Sequence, residues 1–529
     1  MNKKVEGKSS NIDWIAMIVP LLGVVLLFVL FIALPEQSKN VLTSVRTFLG
    51  DDFGIYYILI GILALGATMY MAFSRFGKIK LGDIDKPLYS SFAWGSMIFT
   101  ATMAADILFY SLCEWALYAS EPHLEQLGDM QVWASTFPLF HWGPIAWSFY
   151  IVLAVAFGFM LHIRGQTKQK FSQACRPLLG DKVDGVLGKV IDIVAIFSLI
   201  AGTATTFSLA TPLLATAVSH VFDTGVTIVL TICILLLIAL VYTITVLLGM
   251  KGISKLANFC VYLFFALLFY FLFLGGETFY ILETGVSAIG NLVQNFIGLS
   301  TWTDPLRQDS FPQNWTIFYW AYWMAWCVAT PFFIGMISKG RTIKNTVIGS
   351  YCWGLAGTFT SFIILGNYGL AQQMKHGLDS AGAIAGGADI SETIIGIFQT
   401  LPLPVVALLL LAVTMIIFYA TTFDVLTMVI SSYSQKTLKS GEEPYKGVRA
   451  FWAVLLIVFP IALLFSENSL YSLQSVAIIA AFPIGIIVTI IVVSFFKDAG
   501  SYLKETRELV ENGSRENGMT VGNDDVTGE

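Results

Sequence analysis

Charged residues are scarce in this chain of 529 residues: Asp, Glu, Lys and Arg together make up 12% of it, against about a quarter in an average soluble domain. Hydrophobic residues make up 56%, and the mean hydropathy is +0.75. The net charge of −5 provides no basic field that would attract nucleic acid. These values exclude an ordinary soluble protein and a nucleic-acid partner, and they predict a chain that folds in a lipid bilayer.

Clusters of metal-binding, redox or nucleophilic residues are also missing from the sequence. No two of the six cysteines form a CxxC pair, and most lie in apolar runs, so we interpret them as small core residues. The five histidines show no HExxH spacing, and no GxSxG-like element is present. The sequence therefore predicts neither a disulfide framework nor a cofactor, and it argues against an enzyme.

Long apolar segments occupy most of the chain. A helix needs about 20 residues to cross a bilayer. The first segment follows Lys3 and Lys4 and has no AxA exit, so it is typical of a retained span rather than a cleaved signal. The twelve predicted spans cover residues 14–34, 53–73, 91–119, 141–163, 187–218, 224–250, 256–275, 314–338, 345–373, 403–431, 450–466 and 471–496.

The distribution of Lys and Arg predicts the orientation of these spans. The two termini and every second loop together carry 25 of these residues, whereas the alternate loops carry 4. Because Lys and Arg are enriched on the cytoplasmic side of a membrane, both termini are predicted to be cytoplasmic.

Two regions lie outside the spans. The tail 497–529 is polar and rich in Gly, Asn and Glu, which predicts a largely disordered segment. The segment 276–313 predicts an amphipathic helix along the outer surface, because apolar residues recur there at near-helical spacing: Ile281, Val286, Ile289, Leu292, Val293 and Phe296.

Acidic residues inside spans are costly and often functional. Asp192 lies near a cytoplasmic end beside Lys189, which favours an interfacial role. Glu114 lies near the outer end of the third span, where a capping or loop-bonding role competes with a functional one. Asp424 lies within the tenth span.

Asp106 differs from these acids because it lies at the middle of the third span, among the small residues of TATMAADILFY. Small side chains let helices approach closely or let a helix unwind. One interpretation is an Asp that a neighbouring hydroxyl satisfies. The other is a counter-charge for a bound cation, or a proton carrier.

Aromatic residues are concentrated in the eighth span, where residues 319–326 read YWAYWMAW. Tyr319, Trp323 and Trp326 fall within about 60° of arc on an ideal helix. Tyr322 flanks this face, and Trp320 points elsewhere. The pattern predicts one aromatic face directed at a ligand.

The fourth span supplies a second aromatic group, Trp142, Trp147 and Tyr150, within FHWGPIAWSFY. Gly143-Pro144 permits a break in the helix, so all three rings can converge. A belt of interfacial tryptophans is the alternative. Together with the eighth span, the rings predict a cage for a quaternary ammonium group, in which each cation–π contact contributes about 0.5–2 kcal/mol.

Hydroxyl groups in two spans predict a cation site. Thr421 and Thr422 are adjacent in FYATTFD of the tenth span, and such hydroxyls together with backbone carbonyls can bind Na⁺. The alternative is that each hydroxyl bonds back to its own helix. Helix packing is likewise the alternative for the patch Thr203, Thr205, Thr206 and Ser208 of the fifth span.

With these motifs in place, the sequence resembles the betaine/choline/carnitine transporter family. The resemblance rests on WTIFYWAYWMAW with the exit GMISKGRT, and on FHWGPIAWSFY, and it covers roughly residues 10–500. It implies an all-α polytopic membrane protein of the bacterial cell membrane, with alternating access and a homotrimeric assembly. By position, Trp142, Trp147, Tyr150, Tyr322, Trp323 and Trp326 match the family's aromatic box and its continuation.

The resemblance also implies a domain organisation of two inverted five-helix repeats. The expected boundaries are an N-terminal tail (1–12), two accessory helices (13–75), the first repeat (89–275), the amphipathic helix (276–313), the second repeat (314–496) and the tail (497–529).

One departure from the family pattern bears on the substrate. Asp106 stands where betaine carriers of the family have a glycine, and choline carriers resemble this chain in having an acid there. Choline is a net cation without a carboxylate, so a fixed anion compensates it. The resemblance therefore favours choline over a betaine.

Ion coupling is inferred in the same way. Ion-independent carnitine exchangers of the family place Arg and Met at the positions of Cys260 and Thr330, and neither residue here mimics a cation. Sodium-coupled members have two hydroxyls that match Thr421 and Thr422, and carbonyls near Thr100, Met103 and Phe418 would complete the site. Symport with Na⁺ or H⁺ is therefore expected. The alternative is ion-independent exchange of carnitine or γ-butyrobetaine, because FHWGP and FPQNWT are closer to the exchangers.

Overall fold

The structure is a computed structural model that describes residues 11–101, 105–166, 168–248, 250–438, 442–463 and 470–516. In these residues the regular structure is helical, apart from two isolated antiparallel bridges, Ile12 with Gln435 and Lys80 with Thr342. The sequence favours helices because long apolar segments can satisfy their backbone groups within lipid only as helices or closed barrels.

Nineteen helices of eight or more residues follow one another in the described residues. They are α1 (Trp14–Ala33), α2 (Pro35–Arg46), α3 (Ile55–Phe73), α4 (Ser91–Ala101), α5 (Ala105–Ala119), α6 (Met130–His141), α7 (Pro144–His162), α8 (Val186–Phe222), α9 (Ile228–Leu248), α10 (Met250–Phe269), α11 (Thr278–Thr301), α12 (Ile317–Trp326), α13 (Thr330–Ile337), α14 (Ile343–Ser361), α15 (Asn367–His376), α16 (Ile390–Gln399), α17 (Pro404–Tyr433), α18 (Lys446–Leu463) and α19 (Leu470–Glu516).

Each of the twelve predicted spans coincides with one helix or with two consecutive helices. By length and composition, six helices in the described part of the chain can cross a membrane, or up to eight if each of two bent pairs is one span. The all-helical, multi-pass character is therefore confirmed, whereas the number twelve and the division into inverted repeats stay predictions.

The eighth predicted span is broken directly after its aromatic stretch. Residues 312–326 and 330–337 form two helical pieces that meet at an angle of 56°. Below the break, α13 packs closely on α7, where a Cβ at Gly335 would lie 2.7 Å from the carbonyl oxygen of Ala154. Only glycine permits this close approach between α13 and α7.

The amphipathic segment forms α11, which has two apolar faces. One face is buried and includes Ile281, Ala288 and Leu292. The other face forms an exposed stripe at helical spacing, which consists of Phe279, Leu282, Val286, Ile289, Val293 and Ile297. The apolar residues of the predicted amphipathic helix are thus divided between the two faces: Ile281 and Leu292 are buried, whereas Val286, Ile289 and Val293 are exposed.

The C-terminal segment differs from its prediction. The structure continues α19 through residues 497–516, where composition predicts disorder, and residues 517–529 lie outside the described part. Arg164 holds this extension, since its guanidinium pairs with Asp498 (2.8 Å) and Glu505 (2.9 Å) and lies over the ring of Tyr502. These partners lie hundreds of residues apart in sequence, so local composition does not reveal them.

Candidate functional site

Asp106 is the second residue of α5 and is 5% exposed. Its Oδ2 accepts a hydrogen bond of 2.5 Å from the hydroxyl of Tyr322, and its Oδ1 accepts one from the backbone N–H of Ile107. A neighbouring hydroxyl therefore does satisfy Asp106, and both donors are neutral groups that bring no positive charge to the carboxylate.

Thr206 completes this polar group from α8. Its Oγ1 lies 2.6 Å from the hydroxyl oxygen of Tyr322. Because Tyr322 donates its one hydrogen to Asp106, Thr206 must donate to Tyr322. In contrast, Thr203 and Thr205 bond back to carbonyls of their own helix. One member of the hydroxyl patch thus belongs to the site, and two fit the packing alternative.

The aromatic residues of the fourth and eighth spans meet around Trp323. The ring centroid of Trp323 lies 4.7 Å from that of Tyr150, 5.6 Å from that of Trp142 and 5.7 Å from that of Trp147. All four side chains are at most 7% exposed. The structure therefore brings together the two groups that the sequence predicts to converge.

Local breaks and glycines place these rings. Helix α6 ends at His141 and α7 begins at Pro144, so Trp142 lies in the break at Gly143-Pro144. The indole of Trp147 lies against α14, where a Cβ at Gly354 would approach it to 2.5 Å. Pro at the start of a helix costs no hydrogen bond, and the glycine leaves room for the indole.

A second aromatic cluster surrounds Tyr110 on α5. Its ring centroid lies 5.6 Å from that of Tyr319, 5.8 Å from that of Trp142 and 6.5 Å from that of Tyr322. Trp142 belongs to both clusters, so the rings form one continuous aromatic surface that reaches the hydroxyl bonded to Asp106.

Two tryptophans of the eighth span lie apart from this surface. Trp320 packs on Phe140 and His141, as its helical phase predicts. Trp326 lies against Gly202 of α8, with its Nε1 3.1 Å from a Cβ built there, and within the described residues no ring contact joins it to Trp142, Trp147 or Tyr150. Trp326 thus continues the aromatic face beyond the cluster.

The aromatic surface is closed in this structure. A quaternary nitrogen lies over the face of each ring that binds it, within about 6 Å of the ring centroid. The three distances from Trp323 are all shorter than 6 Å. The four rings thus contact one another and are at most 7% exposed, so a ligand reaches them only if some of the surrounding side chains move.

The residues of the predicted sodium site are only partly described. Thr421 donates a hydrogen bond of 2.9 Å to the carbonyl of Phe418, and both lie in the continuous helix α17 with Thr422. Thr100 lies in α4, and Met103 falls outside the described residues. Within the described residues no group of three or more His, Cys, Asp or Glu could hold a metal. The sodium site stays a prediction.

Sequence reasoning missed part of the site. Tyr110 lines the aromatic surface, and Glu114 is fully buried, with its Oε2 accepting a 2.8 Å hydrogen bond from Nε1 of Trp142. The sequence does contain a pattern that indicates these residues. Helix α5 carries polar side chains at intervals of four residues, which places them in one stripe along the helix: Asp106, Tyr110, Glu114 and Tyr118. Glu114 therefore does more than cap or bond a loop.

Known proteins resemble this chain over most of its length. A glycine betaine transporter of Bacillus subtilis (strain 168), OpuD, is 30% identical over 90% of this chain and 91% of its own. A probable glycine betaine transporter of Desulfitobacterium hafniense (strain Y51) is 30% identical over 94% of this chain and 99% of its own. The osmo-independent choline transporter BetT1 of Acinetobacter baylyi is 28% identical over 91% of each chain.

A family model described as "BCCT, betaine/carnitine/choline family transporter" matches residues 15–504. The match includes every residue of the aromatic surface and the whole of the two predicted repeats. The chain therefore belongs to the betaine/carnitine/choline family of transporters.

Proposed function

We propose that the protein is a secondary active transporter that imports a quaternary ammonium compound, with choline as the favoured substrate. The observation that carries the proposal is the buried aromatic surface around Trp323, which adjoins the carboxyl group of Asp106. Methylated ammonium groups lack hydrogen-bond donors, and aromatic faces attract them through the ring quadrupole. Substrate entry and release would accompany the opening of this surface.

Asp106 favours choline within this class of substrates. A buried carboxylate compensates a net cation, whereas it repels the carboxylate of a zwitterionic betaine. The relatives named for glycine betaine have slightly higher identity than the one named for choline. An identity near 30% does not separate these substrates, so the argument for choline rests on the single charge of Asp106.

The proposed transport is coupled to Na⁺ or H⁺. Cys260 lies in α10 with its Sγ 4.0 Å from the hydroxyl of Thr421, and Thr330 begins α13. Neither side chain supplies the positive charge that would replace a coupling ion. Thr421 and Thr422 are the proposed sodium ligands, and Asp106 is the proton carrier if coupling is to H⁺.

The proposed setting is the bacterial cell membrane, with both termini in the cytoplasm and three copies in one assembly. The distribution of Lys and Arg supports the orientation. The exposed apolar stripe on α11 gives a surface that lipid or a second copy can cover.

A competition experiment tests the proposed substrate. Purified protein in proteoliposomes takes up labelled choline in the presence of unlabelled choline, glycine betaine, carnitine or γ-butyrobetaine. We expect choline to compete most strongly. Stronger competition by glycine betaine would overturn the argument from Asp106, and uptake that requires carnitine inside the vesicles would support exchange instead of symport.

A further inference from the structure

A buried chain of hydrogen bonds begins at the aromatic surface and leads away from it. Glu114 accepts from Nε1 of Trp142 through Oε2 (2.8 Å) and from the hydroxyl of Tyr118 through Oε1. The oxygen of Tyr118 lies 2.6 Å from Nδ1 of His141, and Nε2 of His141 lies 3.0 Å from the hydroxyl of Thr316. All five side chains are at most 3% exposed.

The direction of every bond in this chain follows once the hydroxyl of Tyr118 donates to Glu114. Tyr118 gives its one hydrogen to Glu114, so Nδ1 of His141 must donate to the oxygen of Tyr118. In a neutral imidazole Nε2 then accepts, and Thr316 donates to it. Every donor then points toward Glu114, and both of its oxygens accept.

This chain of hydrogen bonds connects the two helical regions that carry the aromatic surface, the break before α7 and the start of α12. One end is Trp142, whose ring contacts Trp323 and Tyr110. The other end is Thr316, which directly precedes α12, the helix that carries Trp323. His141 also stacks on Tyr319 with the ring centroids 4.9 Å apart and the planes at 15°.

Trp142 differs from the other tryptophans that the sequence assigns to the cage, because its indole N–H has a hydrogen-bond partner. The Nε1 atoms of Trp147, Trp323 and Trp326 have no hydrogen-bond partner within the described residues, whereas Nε1 of Trp142 is bonded to Glu114. A bonded indole has a fixed rotamer, and the other three rings are placed by packing alone.

We propose that Glu114 is a positioning residue for substrate binding. It fixes the orientation of the Trp142 ring through a direct hydrogen bond. Through Tyr118, His141 and Thr316 it also fixes the distance between the Trp142 ring and α12. This inference rests on the proposed function, because it assumes that the aromatic surface binds the ammonium group. It assigns a role to the second acid of α5 that differs from that of Asp106, which supplies charge.

Replacement of Glu114 by Gln tests whether Glu114 acts through its hydrogen bonds or through its negative charge. The Gln carbonyl can accept from Trp142, and its amide can donate to the oxygen of Tyr118. The hydrogens of Tyr118 and His141 then reverse, so that His141 donates to Thr316 and every link is kept. Glu114→Ala breaks both links to the carboxylate.

Calorimetric titration of the purified full-length protein with choline tests the proposal. We expect Glu114→Ala to weaken choline binding about tenfold, the effect of losing one hydrogen bond to a charged group, and Glu114→Gln to remain within about threefold of the wild type. Trp142→Phe keeps a ring but loses the N–H, and the double variant Glu114→Ala/Trp142→Phe should bind no more weakly than the weaker single variant.

The control for a loss of stability alone is Ser135→Ala. It removes a buried 2.7 Å bond between α6 and Asn367 of α15 that is not part of the chain, so we expect a lower Tm with unchanged choline affinity. If the wild type binds no choline or other quaternary ammonium ion, the proposed function fails. If the wild type binds and Glu114→Ala binds equally well, or if Glu114→Gln is as weak as Glu114→Ala, the positioning role is wrong.

Discussion

The charge of Asp106 gives the sharpest prediction about substrate choice. Asp106→Asn is nearly isosteric, and the Asn carbonyl can still accept from the hydroxyl of Tyr322, which lies 2.5 Å from Oδ2. The substitution therefore removes one negative charge and keeps the bond from Tyr322, whereas the bond from the backbone N–H of Ile107 to Oδ1 is lost. We expect choline to bind more weakly and glycine betaine to bind equally well or better.

The structure sets the size of the effect. A quaternary nitrogen on the face of Tyr322 lies about 5 Å from the ring centroid, and the hydroxyl of that ring is bonded to Asp106. The nitrogen and the carboxylate oxygen are then about 7 Å apart, and at an effective dielectric constant of about 20 their attraction is about 2.4 kcal/mol. Loss of this attraction weakens choline binding about 50-fold.

The assay is calorimetric titration of the wild type and of Asp106→Asn with choline and with glycine betaine. The matched control is Asp192→Asn, because Asp192 is also buried but bonds to Ser172. Asp192 lies 14 residues before Thr206 on α8, about 21 Å along the helix. An unchanged choline affinity in Asp106→Asn, or an equal loss for both substrates, would refute the argument.

Three further predictions concern coupling, the C-terminal helix and assembly. Choline uptake should rise several-fold with an inward sodium gradient, and Thr421→Val with Thr422→Val should remove that rise; equal wild-type rates with and without sodium would exclude sodium coupling. Arg164→Ala should speed amide hydrogen exchange across residues 497–516 by up to about fivefold, because exposed ion pairs contribute about 0.2–1 kcal/mol. Arg507→Ala, which removes only a local pair with Glu511, should have a smaller effect, and equal exchange in both variants would show that Arg164 does not hold the helix. Light scattering of the detergent-solubilised protein should give three times the chain mass of 58.1 kDa, whereas a single chain mass would contradict the trimer.

Periodicity predicted the convergence of the aromatic rings because they lie on regular helices. The phase of YWAYWMAW separates Trp323 from Trp320, and the structure places the first against Trp142 and the second against Phe140. Gly143-Pro144 predicted the break between helices in which Trp142 lies. Local rules of helix geometry were sufficient for these residues.

The partners of buried polar groups could not be read in the same way. The bond between Tyr322 and Asp106 spans 216 residues, and that between His141 and Thr316 spans 175. Such pairs depend on how helices pack, which a single sequence does not specify. For this reason Glu114 was open to a capping role, and the ordered extension of α19 against Arg164 was predicted to be disordered.

Choline counterflow tests the central claim most directly. Proteoliposomes are loaded with unlabelled choline, and the transient entry of labelled choline is compared between the wild type, Trp323→Ala and Trp320→Phe. Trp323 lies in the aromatic surface, whereas Trp320 lies on the same helix with its ring packed on Phe140. The account predicts transient accumulation in the wild type and in Trp320→Phe, and none in Trp323→Ala. Accumulation in Trp323→Ala equal to that of the wild type, or none in the wild type, would contradict it.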